Sequence, residues 1–367
     1  MSNNFWFASG ESILDIELVL NQLKFDITIY KEKQETITYL ISLFNSEKIN
    51  DFIGVQEVNY LKRHNRNKWT EYLIYRYEFK SIPKSKMHSD SPLYVLIEPT
   101  SICNLRCKMC FQVDSSFVNR KYMGKMDLGF YKEIIDEISV RGTKAITFAS
   151  RGEPLFHPNI GEMLEYAAGK FIDIKINTNA TLLTDSLSRT ILESGVNEIV
   201  FSVDSDNKKQ YESIRVRAIW EETLKNIINF ESIRMEFFPD APIHTRVSGV
   251  LVDNDQDVDK ISDFWSKYVD STAFVVAEER WDTYHNNIND IKKPCSYLWE
   301  RMYVWHDGTC GVCDVDYKAK ISIGKFAIDG KNSIGDVWNS FAYNQLRKDH
   351  KNGSRSCYFP CDRCEHV

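Results

Sequence analysis

No stretch of this 367-residue chain reaches the roughly eighteen consecutive apolar residues that a membrane-crossing helix requires. The N-terminus also lacks a basic n-region, and its apolar stretch from Phe5 to Ala8 is too short for a signal peptide. The expectation is a cytoplasmic protein that meets no membrane. Positive charge is in short supply as well: 46 Lys and Arg face 52 Asp and Glu, a formal net charge of −6, and no long basic run breaks that balance. A nucleic acid backbone would find no basic field here, so no nucleic acid partner is expected. What is present is 43% hydrophobic and 27% charged residues, an ordinary composition with enough apolar material for a sizeable core, which excludes wholesale disorder. The length suits two or three domains. Nine cysteines complete the inventory, and in a reducing compartment clustered cysteines read as metal or cluster ligands rather than disulfides.

Residues 1–89 read as a helix-rich extension. Ile13, Ile16, Val19 and Leu20, then Ile37, Leu40, Ile41 and Phe44, recur at helical spacing. Ser81 to Pro92, polar and Pro-containing, reads as a linker. Over residues 90–283 short apolar runs alternate with longer helical ones. The strand candidates are Leu93 to Ile97, Ala145 to Phe148, Ile172 to Ile176, Ile199 to Val203, Thr245 to Leu251 and Thr272 to Val276. Between them lie Phe130 to Val140, Ile160 to Lys170, Leu187 to Ser194, Trp220 to Ser232 and Val258 to Tyr268, each of helical length. Six such units predict an α/β fold, a partial (β/α)6 barrel of the TIM type, with its chemistry at the C-terminal ends of the strands. Residues 284–367 hold six of the cysteines and little helical period before Ile334 to Arg347, which predicts a separate, small cysteine-rich module.

Directly after the first strand candidate comes Cys103-Asn-Leu-Arg-Cys107-Lys-Met-Cys110. With 9 cysteines in 367 residues, chance supplies each further cysteine with a probability of roughly 0.025, so accident explains the triple poorly. The spacing lets one loop wrap three thiolates round a corner of an iron–sulfur cube and leaves the fourth iron without a protein ligand. An open coordination position marks a catalytic metal, whereas a closed set marks a structural one. The rival is a three-cysteine zinc site completed by a distant histidine.

This loop and its surroundings resemble the radical S-adenosylmethionine (SAM) superfamily from about Leu93 to the C-terminus. The resemblance implies that Cys103, Cys107 and Cys110 hold a [4Fe–4S] cluster whose open iron is chelated by the methionine part of SAM. One electron then cleaves SAM to a 5′-deoxyadenosyl radical that abstracts a substrate hydrogen atom. Met109 stands where the family usually has an aromatic residue, and Phe111 is the candidate to cover the adenine. Gly152-Glu153-Pro154 resembles the family's Gly-Gly-Glu segment with Arg151 in place of the first glycine, a turn whose freed backbone groups would bind the methionine ammonium. Asn177 and Asn179 end the third strand candidate. Ser202 and Asp204, two apart in Phe-Ser-Val-Asp-Ser, project the same way and suit ribose hydroxyls, although Asp204 and Ser205 would equally serve as a helix N-cap. Arg215 stands where relatives carry an arginine near the SAM carboxylate.

Cys295, Cys310, Cys313, Cys357, Cys361 and Cys364 remain. Cys310-x2-Cys313 and Cys361-x2-Cys364 form two knuckles that zinc could occupy. With Asp307-Gly308, Ile334-Gly335-Asp336-Val337-Trp338 and Leu346-Arg347, the wider pattern resembles the SPASM and twitch modules of the same superfamily. That resemblance implies one auxiliary [4Fe–4S] cluster on Cys295, Cys313, Cys361 and Cys364, with a second, incompletely ligated one as the rival count. Cys310 and Cys357 are then spare thiols, candidates to return a hydrogen atom to a substrate radical. The expected activity is oxidation or epimerisation of a peptide or of a sugar or aminocyclitol, fed by a flavodoxin- or ferredoxin-type reductant. The alternative is a non-catalytic iron–sulfur electron carrier or a zinc-stabilised binding protein.

Overall fold

In a computed structural model that describes residues 6–8, 15–277, 282–327 and 332–366, the strands form one nine-stranded sheet among the described residues. They are β1 (Trp6–Ala8), β2 (Tyr94–Ile97), β3 (Ala145–Phe148), β4 (Asp173–Thr178), β5 (Glu198–Ser202), β6 (His244–Leu251), β7 (Ser271–Val276), β8 (Arg301–Val304) and β9 (Cys310–Gly311). Strands β2 to β7 are parallel neighbours in chain order, the signature of βα repetition, and the sheet does not close on itself. The result is the α/β partial barrel that the alternation of short and long apolar segments predicts.

Each crossover helix repeats apolar residues at a spacing of three or four, and buries them against one face of the sheet. Ile134, Ile135 and Ile138 of Leu128–Val140, Met163 and Leu164 of Ile160–Ala167, and Ile227 and Phe230 of Trp220–Phe237 share the principal core with Ile97, Ile146, Phe148, Ile176, Ile199 and Phe201. Because side chains alternate along a strand, the intervening residues face the concave side of the sheet.

Three features depart from the pattern read in the sequence. The stretch expected to begin a separate module contributes β8, which runs parallel beside β2 with Val95 opposite Met302, so the sheet continues past the first barrel strand. Helix Trp69–Ser85 runs into the expected linker and accommodates Pro83 near its end, where few backbone hydrogen bonds remain to be lost; Lys86, at φ 53°, terminates it. The expected helix from Ile334 to Arg347 is two, Ile334–Trp338 and Phe341–Lys351. Ser340 caps the second by accepting from the Tyr343 N–H, and this local hydrogen bond replaces continuation of the first.

The N-terminal helices Ile16–Asp26, Gln34–Phe44, Val55–Arg63 and Trp69–Ser85 carry their own apolar cluster, including Val19, Ile37, Leu40 and Phe44; Ile13 lies outside the described residues. They dock beneath the N-terminal ends of the strands. Tyr60, Tyr72 and Tyr75 pack against Ala145, and the Tyr60 hydroxyl donates to the Ile172 carbonyl at 3.2 Å. The opposite, C-terminal end of the sheet is where the cysteines gather.

Candidate radical SAM site

After β2 the chain crosses the top of the sheet and delivers Cys103, Cys107 and Cys110 on one loop. Two backbone hydrogen bonds lace that loop to the segment after helix Lys208–Ile214: Arg106 N–H to the Val216 carbonyl and Lys108 N–H to the Ile214 carbonyl, both 3.0 Å. Burial pushes the Cys103 and Cys110 thiols up to about 12; Glu153 and Cys107 add to the effect at Cys103, and Cys107 and Cys103 at Cys110. Cys107 is raised by burial and pulled back by Arg215, whose Nη1 lies 3.9 Å from its Sγ. A metal must therefore displace protons to bind here, and three thiols on one loop, with no fourth cysteine there, are the donor set of an iron–sulfur cube with one open corner.

The Gly-Glu-Pro turn after β3 presses directly on this loop. A Cβ at Gly152 would lie 2.3 Å from the Thr100 carbonyl oxygen and 2.6 Å from that of Ile102, so only glycine allows the two backbones to approach. Glu153 donates its N–H to the Ile102 carbonyl at 3.0 Å. Its buried carboxylate accepts from Thr178 Oγ1 at 2.7 Å, Asn179 N–H at 2.8 Å and Leu155 N–H at 3.1 Å. Its role in this structure is thus to join the turn to the end of β4. Asn179 in turn donates to Asn104 Oδ1 at 3.0 Å, next to Cys103.

Asp204 and Arg215 meet, although the sequence separates them by a helix. Arg215 Nε lies 2.6 Å from Asp204 Oδ2, its Nη2 donates to Oδ1 at 2.9 Å, and the Val250 N–H donates to the same oxygen at 2.7 Å. Asp204 is fully buried and committed to this pair, while Ser202 keeps partial exposure opposite Ser248. The following helix is capped by Asn207 rather than by Asp204 or Ser205. Asn177 sits on the concave face of β4, its Oδ1 buried with no partner among the described residues. The Phe111 ring stacks on Tyr317 with centroids 4.9 Å apart, which places it at the seam with the C-terminal segment.

Arg151 and Glu98 form a buried pair that motif reading missed. Arg151 Nε and Nη2 each donate to a Glu98 carboxylate oxygen at 2.6 Å, and Nη1 donates to the Tyr317 carbonyl at 3.0 Å. The guanidinium lies 3.6 Å from the Trp305 ring centroid, and the His306 N–H donates to Glu98 at 3.2 Å. One signal was available, an arginine replacing a glycine in a tight turn; its acidic partner lies 53 residues away and carries no mark in the sequence.

The six C-terminal cysteines divide. Burial raises the Cys295 thiol to about 11, with a contribution from Cys364; Cys313 is raised by burial and by Cys361 and Cys295; Cys361 is raised by burial and by Cys295 and Cys364. Cys295 and Cys361 each interact electrostatically with the other three of these four thiols, and four thiolates are the donor set of a fully ligated cube, although the described residues do not form a closed metal site as they stand. The environments of the other two differ. Cys310 is sealed in the principal core at 1% exposure, raised to about 12 by burial, and Cys357 is exposed on the short helix Arg355–Cys357.

Comparison with known proteins agrees with this geometry. Residues 97–264 match the Radical SAM superfamily, and residues 295–365 match the SPASM iron–sulfur cluster-binding domain. Over 112 residues the chain is 36% identical to the tungsten-containing aldehyde ferredoxin oxidoreductase cofactor-modifying protein of Pyrococcus furiosus, which covers 30% of each chain. It is 31% identical over 161 residues to the AdoMet-dependent heme synthase of Methanosarcina barkeri, 44% of each. The matches thus span less than half the length of these relatives. Among solved structures, BtrN in complex with AdoMet and 2-DOIA aligns with a TM-score of 0.51 at 21% identity, covering 77% of this chain and 95% of that one. SuiB of Streptococcus suis bound to precursor peptide SuiA aligns at 0.55 and 16% identity, covering 92% and 84%. Both likenesses concern the fold. The thiol loop above β2, the turn that only glycine permits and the four-thiol set after it belong to a radical SAM domain followed by a SPASM domain, with a [4Fe–4S] cluster that binds SAM and an auxiliary iron–sulfur cluster.

Proposed function

We propose that this protein is a SAM-cleaving oxidoreductase that removes a hydrogen atom from a polar substrate held over the concave face of the sheet and then takes an electron from it. Bound at the Cys103 loop, the cluster and SAM supply a 5′-deoxyadenosyl radical. The chain's own residues hold and orient. Cys103, Cys107 and Cys110 would hold the cluster; the backbone around Gly152 and Glu153 shapes the turn packed on their loop; the Arg215–Asp204 pair fixes the wall beside Cys107. Cys295, Cys313, Cys361 and Cys364 would keep the auxiliary cluster closed to ligands, which suits it to accepting an electron.

The observation that carries the reading is the pairing of an open three-thiol set at the top of β2 with a separate four-thiol set. Oxidation is favoured over epimerisation by where the spare thiols lie. A hydrogen donor must reach the substrate radical, whereas Cys310 is locked in apolar packing and Cys357 faces solvent. The N-terminal helices pack at the end of the sheet opposite the thiols, which supports a closing role rather than capture of a peptide leader at the site. A low-potential reductant of the flavodoxin or ferredoxin type would supply the electron for SAM cleavage.

The test is anaerobic reconstitution, metal analysis and addition of SAM with dithionite. The reading expects 5′-deoxyadenosine from the wild type and none from a Cys103/Cys107/Cys110→Ala variant. Stoichiometric zinc with no SAM cleavage would replace it with a metal-stabilised binding protein.

A further inference from the structure

The concave face of the sheet is polar where the interior of a closed (β/α) barrel is ordinarily packed with branched apolar side chains. Thr147 on β3, Lys175 and Asn177 on β4, Glu198 and Ser202 on β5, and Arg246 and Ser248 on β6 all point to that side, because their neighbours in sequence are the ones that join the helices in the principal core. Exposure follows the same alternation. Lys175 and Asn177 on β4, and Arg246 and Ser248 on β6, stay partly accessible, while Ile176, Thr178 and Val247 between them are buried. The concave side is therefore partly accessible at these four residues, while Thr147, Glu198 and Val200 on the same side are buried.

Strand register stacks these groups in layers. Lys175 lies opposite Glu198; Asn177 lies opposite Val200, and Val200 opposite Arg246. Asn177 and Arg246 thus share the layer above the Lys175–Glu198 pair, nearer the C-terminal ends where the thiols gather. Lys175 Nζ is 2.5 Å from one Glu198 oxygen and Arg246 Nε is 3.0 Å from the other, so two cations share one carboxylate. Asp173, buried, lies one layer lower still. Arg246 keeps 26% of its side chain exposed; its buried Nε faces Glu198, and no hydrogen bond from its two Nη groups is seen among the described residues. In the same layer Asn177 holds a buried Oδ1 without a donor. With Val200 between them in the register, an unused Nη edge and an acceptor without a donor stand in one layer two strands apart, a spacing that a small polar molecule could bridge.

We propose that Arg246 and Asn177 form the floor of the substrate site and select an organic acid. The Nη edge of Arg246 receives a carboxylate in a two-pronged hydrogen bond, and Asn177 Oδ1 accepts from a hydroxyl or ammonium group of the same molecule. Lysine would not replace this arginine, since a point charge lacks the fork. This inference rests on the oxidoreductase reading above and names the class of molecule that it would act on.

The experiment uses the reconstituted protein saturated with SAM, so that SAM's own carboxylate cannot account for the signal. Ligand-observed NMR measures binding of malate, of its neutral diamide, and of a short peptide ending in glutamate, to the wild type and to Arg246→Met, Arg246→Lys and Asn177→Ala variants. Malate or the peptide should bind the wild type, the diamide should not, and Arg246→Met should weaken binding by about tenfold or more, a loss expected for a hydrogen bond to a charged group. Malate without the peptide would identify a free acid as the source of the carboxylate, and the peptide without malate an acidic chain end. Asn177→Ala, which removes no charge, should weaken malate binding in a protein that keeps its iron. No binding of either acid, or equal binding by wild type and Arg246→Met, overturns the assignment. 5′-Deoxyadenosine formation is recorded for each protein: its absence from all of them refutes the oxidoreductase reading, while the binding comparison still judges the floor by itself.

Discussion

Glu98 offers the sharpest test of what holds the site together. Burial alone would raise its carboxyl, yet Arg151, with help from His306, holds it down at about 2 against an ordinary 4.5. A difference of about 2.5 units corresponds to about 3 kcal/mol of folding stability, because each unit is worth about 1.4 kcal/mol. Since the folded value lies below the unfolded one, this contribution is present in full above pH 4.5 and fades as pH falls toward 2. Glu98→Gln makes the same loss permanent at neutral pH, leaving a guanidinium buried to 2% side-chain exposure without its counter-charge. Breaking a buried pair from one side typically costs about 3–5 kcal/mol, in agreement with the pH argument. Anaerobic urea denaturation of the reconstituted protein, followed by tryptophan fluorescence at pH 7, should show the midpoint falling by about 1 M for an m-value of about 3 kcal/mol/M. The double variant Glu98→Leu/Arg151→Met should recover part of the loss by removing both charges. A Glu98→Gln midpoint indistinguishable from wild type would refute the reasoning and leave the pair energetically neutral.

Other consequences are as direct. Gly152→Ala should lower iron content and 5′-deoxyadenosine yield together, since the added Cβ would force the turn away from the thiol loop; unchanged iron per chain would show that the two backbones can part freely. Replacing Cys295, Cys313, Cys361 and Cys364 together should leave about four irons per chain of about eight and preserve SAM cleavage, measured by iron analysis and 5′-deoxyadenosine formation. Cys357→Ala should change neither iron content nor SAM cleavage, because its side chain is exposed; a loss of iron would make it a ligand. Asp204→Asn should weaken SAM binding in equilibrium dialysis, because Arg215 loses the partner that holds it beside Cys107.

The sequence by itself determined the repeating βα order, the position of the first thiol loop and the glycine turn, because each is written in contiguous residues: a period of apolar side chains, a cysteine spacing, a tripeptide. Spacing alone left the six C-terminal cysteines open, and it took the family resemblance to choose Cys295, Cys313, Cys361 and Cys364; what only packing decided is that Cys310 lies in the core and Cys357 in solvent. Asp204 was legible as a polar strand-end residue, yet its partner was decided by the path of the helix that brings Arg215 back to it. The Glu98–Arg151 pair, the placing of Asn177 and Arg246 in one layer of the sheet, and the addition of β8 beside β2 all join separate strands and loops. Such pairings depend on strand register and on which side of the sheet a residue faces, quantities that exist only once the chain has closed its long-range contacts. Local spacing could therefore announce the chemistry, while the floor that chooses a substrate was set by the tertiary structure.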